Sequence, residues 1–508
     1  MPNQARLGGG RQTASKIAHS AFVENPEIRE FLAACSYMRE PNDDELKLIQ
    51  SRFQTAPVSD DAPPDFVIAI DGSPYESHFH KGLPSTRAGY FKVSGVAVSI
   101  PRYKAACDKE RRFLDPFAMA AIYEQRDALT FCLPSSNMEY RGATSDKHGF
   151  RLKLFEEFCA EKTRIVPGKG DTFLNTLFKL AALVAATSSD GDDDDSGKPK
   201  GLTVGGTRYI RVHKCASCNL KPADGFLVPE DPGHIKCSDG SPEGCSGTIF
   251  ATDALRVHES VTTHGPNMEA ISRTMNVVEA LFMAHLILHL MENSPQALSR
   301  TCFVVDGPLA LFGEAAWMHG GLLRLYHQAQ DSLAKKGLPP FLLFGIQKTG
   351  QVAEHAAMLR PHLGRPGECL IMPVSDEYRA EHIRERDDNR RNFGDETYWG
   401  QDFLFRASNG DIFVMAVPYC TSSKRVVDPN GKLDAEGYFR QIKAEIGRYP
   451  TLGRTLEVIE IMRSDLYESS IVPVLAAHRE ASISLMPGGR VLDLMSLTNF
   501  SASAAPTS

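Results

Sequence analysis

A chain of 508 residues with 42% hydrophobic content can bury a large core, and its length alone allows roughly two to four domains. The net charge of −7 and sequence pI of about 6.2 exclude nucleic-acid binding through overall basicity and leave only a local basic groove for that role. Eleven cysteines without a leading apolar signal segment fit a reducing cytoplasm and no export, and no apolar run reaches the ~20 residues that span a bilayer, so no membrane role is expected.

In chain order, residues 1–60 read as a disordered, Gly- and Arg-rich start followed by packing helices. Ile17, Phe22, Ile28, Phe31 and Leu32 recur at apolar spacing, and a second helix follows Pro41 through Glu45, Leu46 and Ile49. Residues 61–500 read as one elaborated core. The run FVIAIDGS, Phe66 to Ser73, is bounded upstream by Pro63 and Pro64 and predicts a buried strand ending at Asp71. An isolated carboxylate there would be costly to desolvate, so it is expected to face a cleft where a cation or hydrogen bonds offset its charge. Gly72 then allows another group to approach closely. After a polar turn, YESHFHKGLPSTRAG, the segment Tyr90 to Ile100 reads as the antiparallel partner strand. Residues 113–185 read as helices and loops, with a strong apolar helix from Phe173.

The run SSDGDDDDSGKPKG, residues 188–201, repels itself and cannot bury a core, so it reads as an acidic flexible linker. Directly after it, within residues 205–250, Cys215, Cys218, Cys237 and Cys245 are spaced C-x2-C, 18 residues, C-x7-C. Two thiolate pairs at that separation can fold back on one tetrahedral Zn²⁺, as in a zinc ribbon, with His213 or His234 as substitute ligands. A closed site of four thiolates has no open position, so no chemistry is assigned to it.

A long helix is predicted from Met268 to Asn293. Glu279 shares its stripe with Met275, Met283, Leu286 and Leu290, where an unpaired carboxylate is expensive unless a site explains it. His285, His289 and Glu292 lie on a neighbouring face and read as half-exposed polar residues. FVVDGPL, Phe303 to Leu309, repeats the first design, with Asp306 at a strand end, then Gly307 and a helix through Leu311. FLLFGIQKTG, Phe341 to Gly350, is a third apolar strand that carries Lys348 to its end, where the ammonium could meet a phosphate. A charged stretch with Arg384, Arg386, Arg390 and Arg391 beside Tyr398 and Trp399 reads as a solvated helix. A strand from Asp411, a helix around YPTLGRTLEVIEIM, a mostly apolar helix bearing His478, and a disordered tail, 501–508, complete the chain.

Two strand-end acids suit in-line phosphodiester hydrolysis, in which carboxylates hold Mg²⁺ or Mn²⁺. The ordered set of AIDGS at Asp71, a helical glutamate, VVDGPL at Asp306, GIQKTG at Lys348 and PVLAAH at His478 resembles the NurA nuclease family over roughly residues 60–490. The resemblance implies an RNase H-like α/β fold, a mixed sheet flanked by helices. It also implies Mn²⁺- or Mg²⁺-dependent cleavage of DNA, a homodimer, and a HerA-type hexameric ATPase as translocase partner, in DNA repair or antiphage defence. It makes Asp71, Glu279 and Asp306 metal ligands, with Glu292 or Glu259 as alternatives to Glu279, and gives His478 the family's C-terminal histidine role. The family tyrosine falls at Ser470, with Tyr467 three residues earlier. The zinc ribbon and the aspartate run look like insertions. Two other classes fit the same residues: an actin-like Mg-ATPase, against which stands the lack of a compact Gly-rich loop, and a non-catalytic zinc-ribbon adaptor.

Overall fold

The computed structural model describes residues 4–7, 10–13, 25–35, 38, 40–80, 83–107, 123–185, 200–237, 244–383, 397–432, 437–464 and 470–483. Nine strands form one mixed sheet: β1 (Gln54–Thr55), β2 (Phe66–His80), β3 (Leu83–Ser99), β4 (Tyr123–Pro134), β5 (Thr301–Asp306), β6 (Leu342–Gln347), β7 (Leu370–Pro373), β8 (Gly400–Arg406) and β9 (Ile412–Pro418). Their order across the sheet is β1-β7-β8-β9-β6-β5-β2-β3-β4. β2, β3 and β4 form an antiparallel meander, while β5 runs parallel to both β2 and β6. β6 pairs antiparallel with β9, and β7, β8 and β9 continue antiparallel to the edge.

The central strands are apolar on both faces because helices cover both. Ile70, Phe303 and Leu343 face a core shared with α1 (Asp146–Cys159), α2 (Phe173–Ala185), α3 (Met268–Asn293) and α4 (Met318–Lys335). Val67, Ala69, Val304 and Phe344 face the opposite core, which α5 (Leu452–Met462) and α6 (Val472–Ala481) close. The alternation follows from the two-residue period of a strand. By length and composition α3 is apolar enough to cross a membrane, but it is mostly buried inside the molecule, as expected of a core helix that carries Glu279, His285 and His289.

Several predicted elements differ. The first strand does not end at Asp71: it continues to His80, and the polar segment expected to be a turn is a β2/β3 ribbon whose pairing runs on to His80↔Leu83. Only its tip beyond Ser77 is two-stranded; nearer the sheet β4 pairs with β3 as far as Ala88↔Pro134, and the buried positions there include Ser77, so the segment carries no strand signal by hydrophobicity. β4, expected as helix or loop, is an outer strand in which Phe131 and Leu133 point inward while Thr130 and Cys132 are exposed. Leu311 lies in a loop, and the helix starts at Met318, because Pro308 and the left-handed Gly313 break the earlier turns. Where disorder was expected near the start of the chain, Gln4–Leu7 pairs antiparallel with Gly10–Thr13. Most of the aspartate run, the four charged-stretch arginines, Tyr467 and the 501–508 tail lie outside the described residues.

Candidate metal centre

β5 and its parallel neighbours carry three polar side chains to one end and one face of the sheet. Asp306 is in register with Ile346 of β6, and Asp71 follows Ile70, the last residue of β2 that pairs with β5. Alternation along β2 (Val67, Ala69, Asp71), β5 (Cys302, Val304, Asp306) and β6 (Phe344, Ile346, then Lys348) sets all three on the α6 side. Asp71 thus stands where one of its two neighbouring strands ends, buried beside the end of β5.

α6 supplies His478, whose Nδ1 donates to Asp71 Oδ2 at 2.7 Å, and Lys348 Nζ donates to Asp306 Oδ2 at 2.7 Å. One donor atom from each of Asp71, Asp306 and His478 falls within 4.8 Å of the others. Glu279 comes from α3, on the opposite face, and reaches this end of the sheet across Gly72. A Cβ on that glycine would stand 2.6 Å from Glu279 Oε1 and 2.8 Å from Met275 Cγ and Sδ. Only glycine leaves room for the carboxyl there. The Gly72 N–H donates to Asp71 Oδ1 at 2.9 Å and also supports the charged Glu279. A cavity of about 140 Å³ adjoins the carboxyls, lined by Asn276, Glu279, Asp306, Gly307, Phe312 and Trp399.

Burial is the main cause that raises the Asp71 carboxyl above its ordinary range; the Asp306 charge adds to it and His478 opposes it. Glu279 is pushed well above its ordinary value, first by desolvation of its enclosed carboxyl and then by the charges of Asp71 and Asp306. Two buried acids whose proton affinity is raised by the charge of a third nearby carboxylate make a site that a cation would stabilise. The oxygen and imidazole donors suit a hard or borderline divalent ion.

The alternatives to Glu279 are engaged elsewhere. Glu292 pairs with Lys179 at 2.7 Å on the outer surface. Glu259 is held at about 2; burial opposes this, but hydrogen bonds from Arg256 and Lys214 outweigh it. His285 is buried against the Thr176 hydroxyl at 2.7 Å, not among the acids. One polar network near the site was not foreseen: buried Asp402 accepts from Gln347 Nε2 at 2.7 Å and from Arg379. Because Gln347 directly precedes Lys348, this network anchors the end of β6. Its signal was an acid inside the otherwise apolar run DFLF.

The four cysteines meet apart from the acids, with all four sulfurs within 4.8 Å of one another. Sγ of Cys215 lies 3.9 Å from that of Cys245, and Sγ of Cys218 lies 3.8 Å from that of Cys237. His213 and His234 are not in the cluster. His213 faces Glu259, and His234 packs edge-on to Phe155.

Fold and site together define a mixed α/β protein with a candidate divalent-metal centre where β5 and β6 end beside the continuing strand β2. No protein-family model matches the sequence, and no curated protein matches it. Among solved structures the chain is similar to NurA along nearly its whole length, at low identity. A crystal structure of NurA is 11% identical, over 97% of this chain and 99% of that one, with a TM-score of 0.26. NurA with manganese is 11% identical over 92% and 94% of the two chains (TM-score 0.24), and NurA bound to dAMP and manganese is 11% identical over 94% and 95% (TM-score 0.25). At such scores the likeness carries no functional argument, which rests on the residues.

Proposed function

We propose that the protein is a Mn²⁺- or Mg²⁺-dependent deoxyribonuclease of the NurA type. The observation that carries this reading is the meeting of Asp71, Asp306 and His478, one donor atom of each within 4.8 Å of the others, beside Lys348 and with Glu279 reaching the same end of the sheet from a helix on the far face. The strand order β4-β3-β2-β5-β6, an antiparallel meander followed by two parallel strands, supports an RNase H-like core.

Asp71, Asp306 and Glu279 would hold the ion. When bound, it supplies positive charge to a phosphodiester and acidifies water. His478, hydrogen-bonded to Asp71 through Nδ1, orients that carboxylate and leaves Nε2 to pass a proton to a departing oxygen. Lys348 holds Asp306 and brings a cation to the place where a phosphate would arrive. The resemblance in motif order extends the proposal to DNA as substrate, a homodimer, a HerA-type hexameric ATPase as partner and a cytoplasmic setting in repair or antiphage defence. A motor partner would also suit a chain of net charge −7, which has no overall basicity to retain DNA.

The test is DNA degradation by purified protein with Mn²⁺, with and without a HerA-type ATPase, against Asp71→Ala. Metal-dependent cleavage lost in the variant is expected. No cleavage under any condition, with wild type and variant alike, ends the reading.

A further inference from the structure

The segment holding the four cysteines is built as a pair of metal knuckles. The Ser217 N–H points at Cys215 Sγ (3.4 Å) and the Gly247 N–H at Cys245 Sγ (3.3 Å), so each turn offers a backbone donor to a sulfur. Cys237 N–H donates to Gly247 O at 2.9 Å and ties the second turn to its hairpin. A side chain on Gly247 would collide with Ser217 at 2.4 Å, so the two turns are packed face to face. Four thiolates at ~2.3 Å from one tetrahedral zinc stand ~3.8 Å apart, and the measured separations are 3.9 and 3.8 Å. A disulfide requires ~2.05 Å.

The same segment is linked to the loop that follows β5. Lys214, next to the first knuckle, pairs with Glu259 Oε1 at 3.0 Å, and Glu259 Oε2 accepts from Arg256 at 2.9 Å. The other arm of Arg256 binds Glu314 at 2.5 Å. Three residues on, Trp317 Nε1 donates to Ala254 O at 3.0 Å. Arg256 adopts a left-handed backbone, φ 56°, an unfavourable conformation for a residue with a side chain, and its guanidinium bridges the two regions. Glu314 lies in the loop whose earlier residues, Gly307 to Phe312, wall the cavity beside Asp306 and Glu279.

We propose that Cys215, Cys218, Cys237 and Cys245 bind one structural Zn²⁺, and that the zinc-held segment fixes the wall of the carboxylate cleft through Lys214, Glu259, Arg256 and Glu314. The ligand is a soft-tolerant divalent ion in a closed tetrahedral sulfur site, so its role is support and not chemistry. Arg256 is a positioning residue: it acts through Glu259 and through Glu314 of the loop. The effect on cleavage rests on the nuclease reading; the zinc and the loop placement do not.

Both halves are read on the full chain. Protein purified under reducing conditions without added metal should carry about one zinc per chain, Co²⁺ exchange should give thiolate-to-cobalt charge-transfer absorption, and Cys218→Ser should lose most of the metal. The two tryptophans, Trp317 and Trp399, lie on the loop and on the cavity wall, so their emission reports the link without any substrate. Arg256→Ala, and Glu314→Gln at its more exposed partner, should keep the zinc yet shift that emission to the red. Arg256→Lys, which keeps a positive charge toward both Glu259 and Glu314, should retain most of the wild-type emission. Mn²⁺-dependent cleavage should fall on the order of tenfold to a hundredfold in Arg256→Ala and be largely kept in Arg256→Lys. Zinc-free protein, or the four cysteines found as two disulfides, overturns the metal site. Emission and cleavage unchanged in both Arg256→Ala and Glu314→Gln overturn the positioning role. If no protein cleaves DNA, the nuclease reading fails while zinc content and emission still decide this one.

Discussion

Replacing Gly72 with alanine tests the candidate centre at its tightest point. The added methyl would stand 2.6 Å from Glu279 Oε1 and 2.8 Å from Met275, so the carboxyl must retreat by about 0.8 Å to restore an ordinary contact. Gly72 is not in a left-handed conformation, so the backbone accepts alanine without strain, and alanine is favoured over glycine in a strand by ~0.5–1 kcal/mol. Overpacking costs ~1–3 kcal/mol, which leaves a net loss of about 0–2.5 kcal/mol and a folded protein. Displacement by nearly 1 Å within a reacting constellation costs on the order of a hundredfold in rate. The assay pairs thermal unfolding with Mn²⁺-dependent cleavage and with Mn²⁺ titration. Gly89→Ala is the control, since its methyl meets Ile271 at 2.4 Å, away from the acids. Gly72→Ala is expected to lose cleavage and weaken Mn²⁺ binding far beyond its stability loss, whereas Gly89→Ala loses stability alone. Full cleavage and wild-type Mn²⁺ affinity in Gly72→Ala would refute the placement of Glu279 at the centre.

Glu279→Gln should stabilise the metal-free protein at neutral pH. A carboxyl raised above its unperturbed 4.5 binds more protons folded than unfolded, so the wild type loses stability as pH rises through that raised value, and glutamine removes the loss. Melting curves in chelator should show a higher Tm for the variant at neutral pH and little difference at acid pH below 4.5; added Mn²⁺ should favour the wild type. For the same reason apparent Mn²⁺ affinity should climb with pH above the usual carboxylate range, because Asp71 and Glu279 must release protons to bind the ion; isothermal titration at several pH values checks this, and a flat profile contradicts it. Arg379→Ala strands the buried Asp402 and should cost ~3–5 kcal/mol in chemical denaturation. His478→Gln should slow cleavage with little change in Tm, since the ring is largely exposed and only Asp71 loses its partner.

Asp71, Asp306 and Lys348 were legible in the sequence because each ends or follows an apolar run, where a lone charge has no local excuse. Glu279 was legible as a misfit on an apolar helical stripe. The cysteine cluster was legible from spacing. What escaped was set by partners distant in the chain. The β2/β3 ribbon is held by cross-strand pairing rather than by an apolar face, so its polar residues looked like a turn. In β4 the inward Leu129, Phe131 and Leu133 follow the polar run Glu124 to Asp127, so the short apolar alternation did not outweigh its neighbours. Asp402 with Arg379, and Arg256 with Glu314, are ion pairs whose two members carry no shared local pattern, so only the folded chain joins them.

The contact between His478 and Asp71 spans 407 positions of sequence. That separation has a consequence for synthesis. Loop closure of this length is among the last events in folding, because its entropy is offset only once the intervening sheet and helices stand. During translation the acid of β2 and its glycine emerge early, but α6 follows only after nearly the whole core has been made. A ribosome-bound chain therefore lacks the histidine end of the centre, and premature termination before α6 would leave the carboxylates without it. The centre is therefore assembled late, by the same docking of α6 that closes the second core.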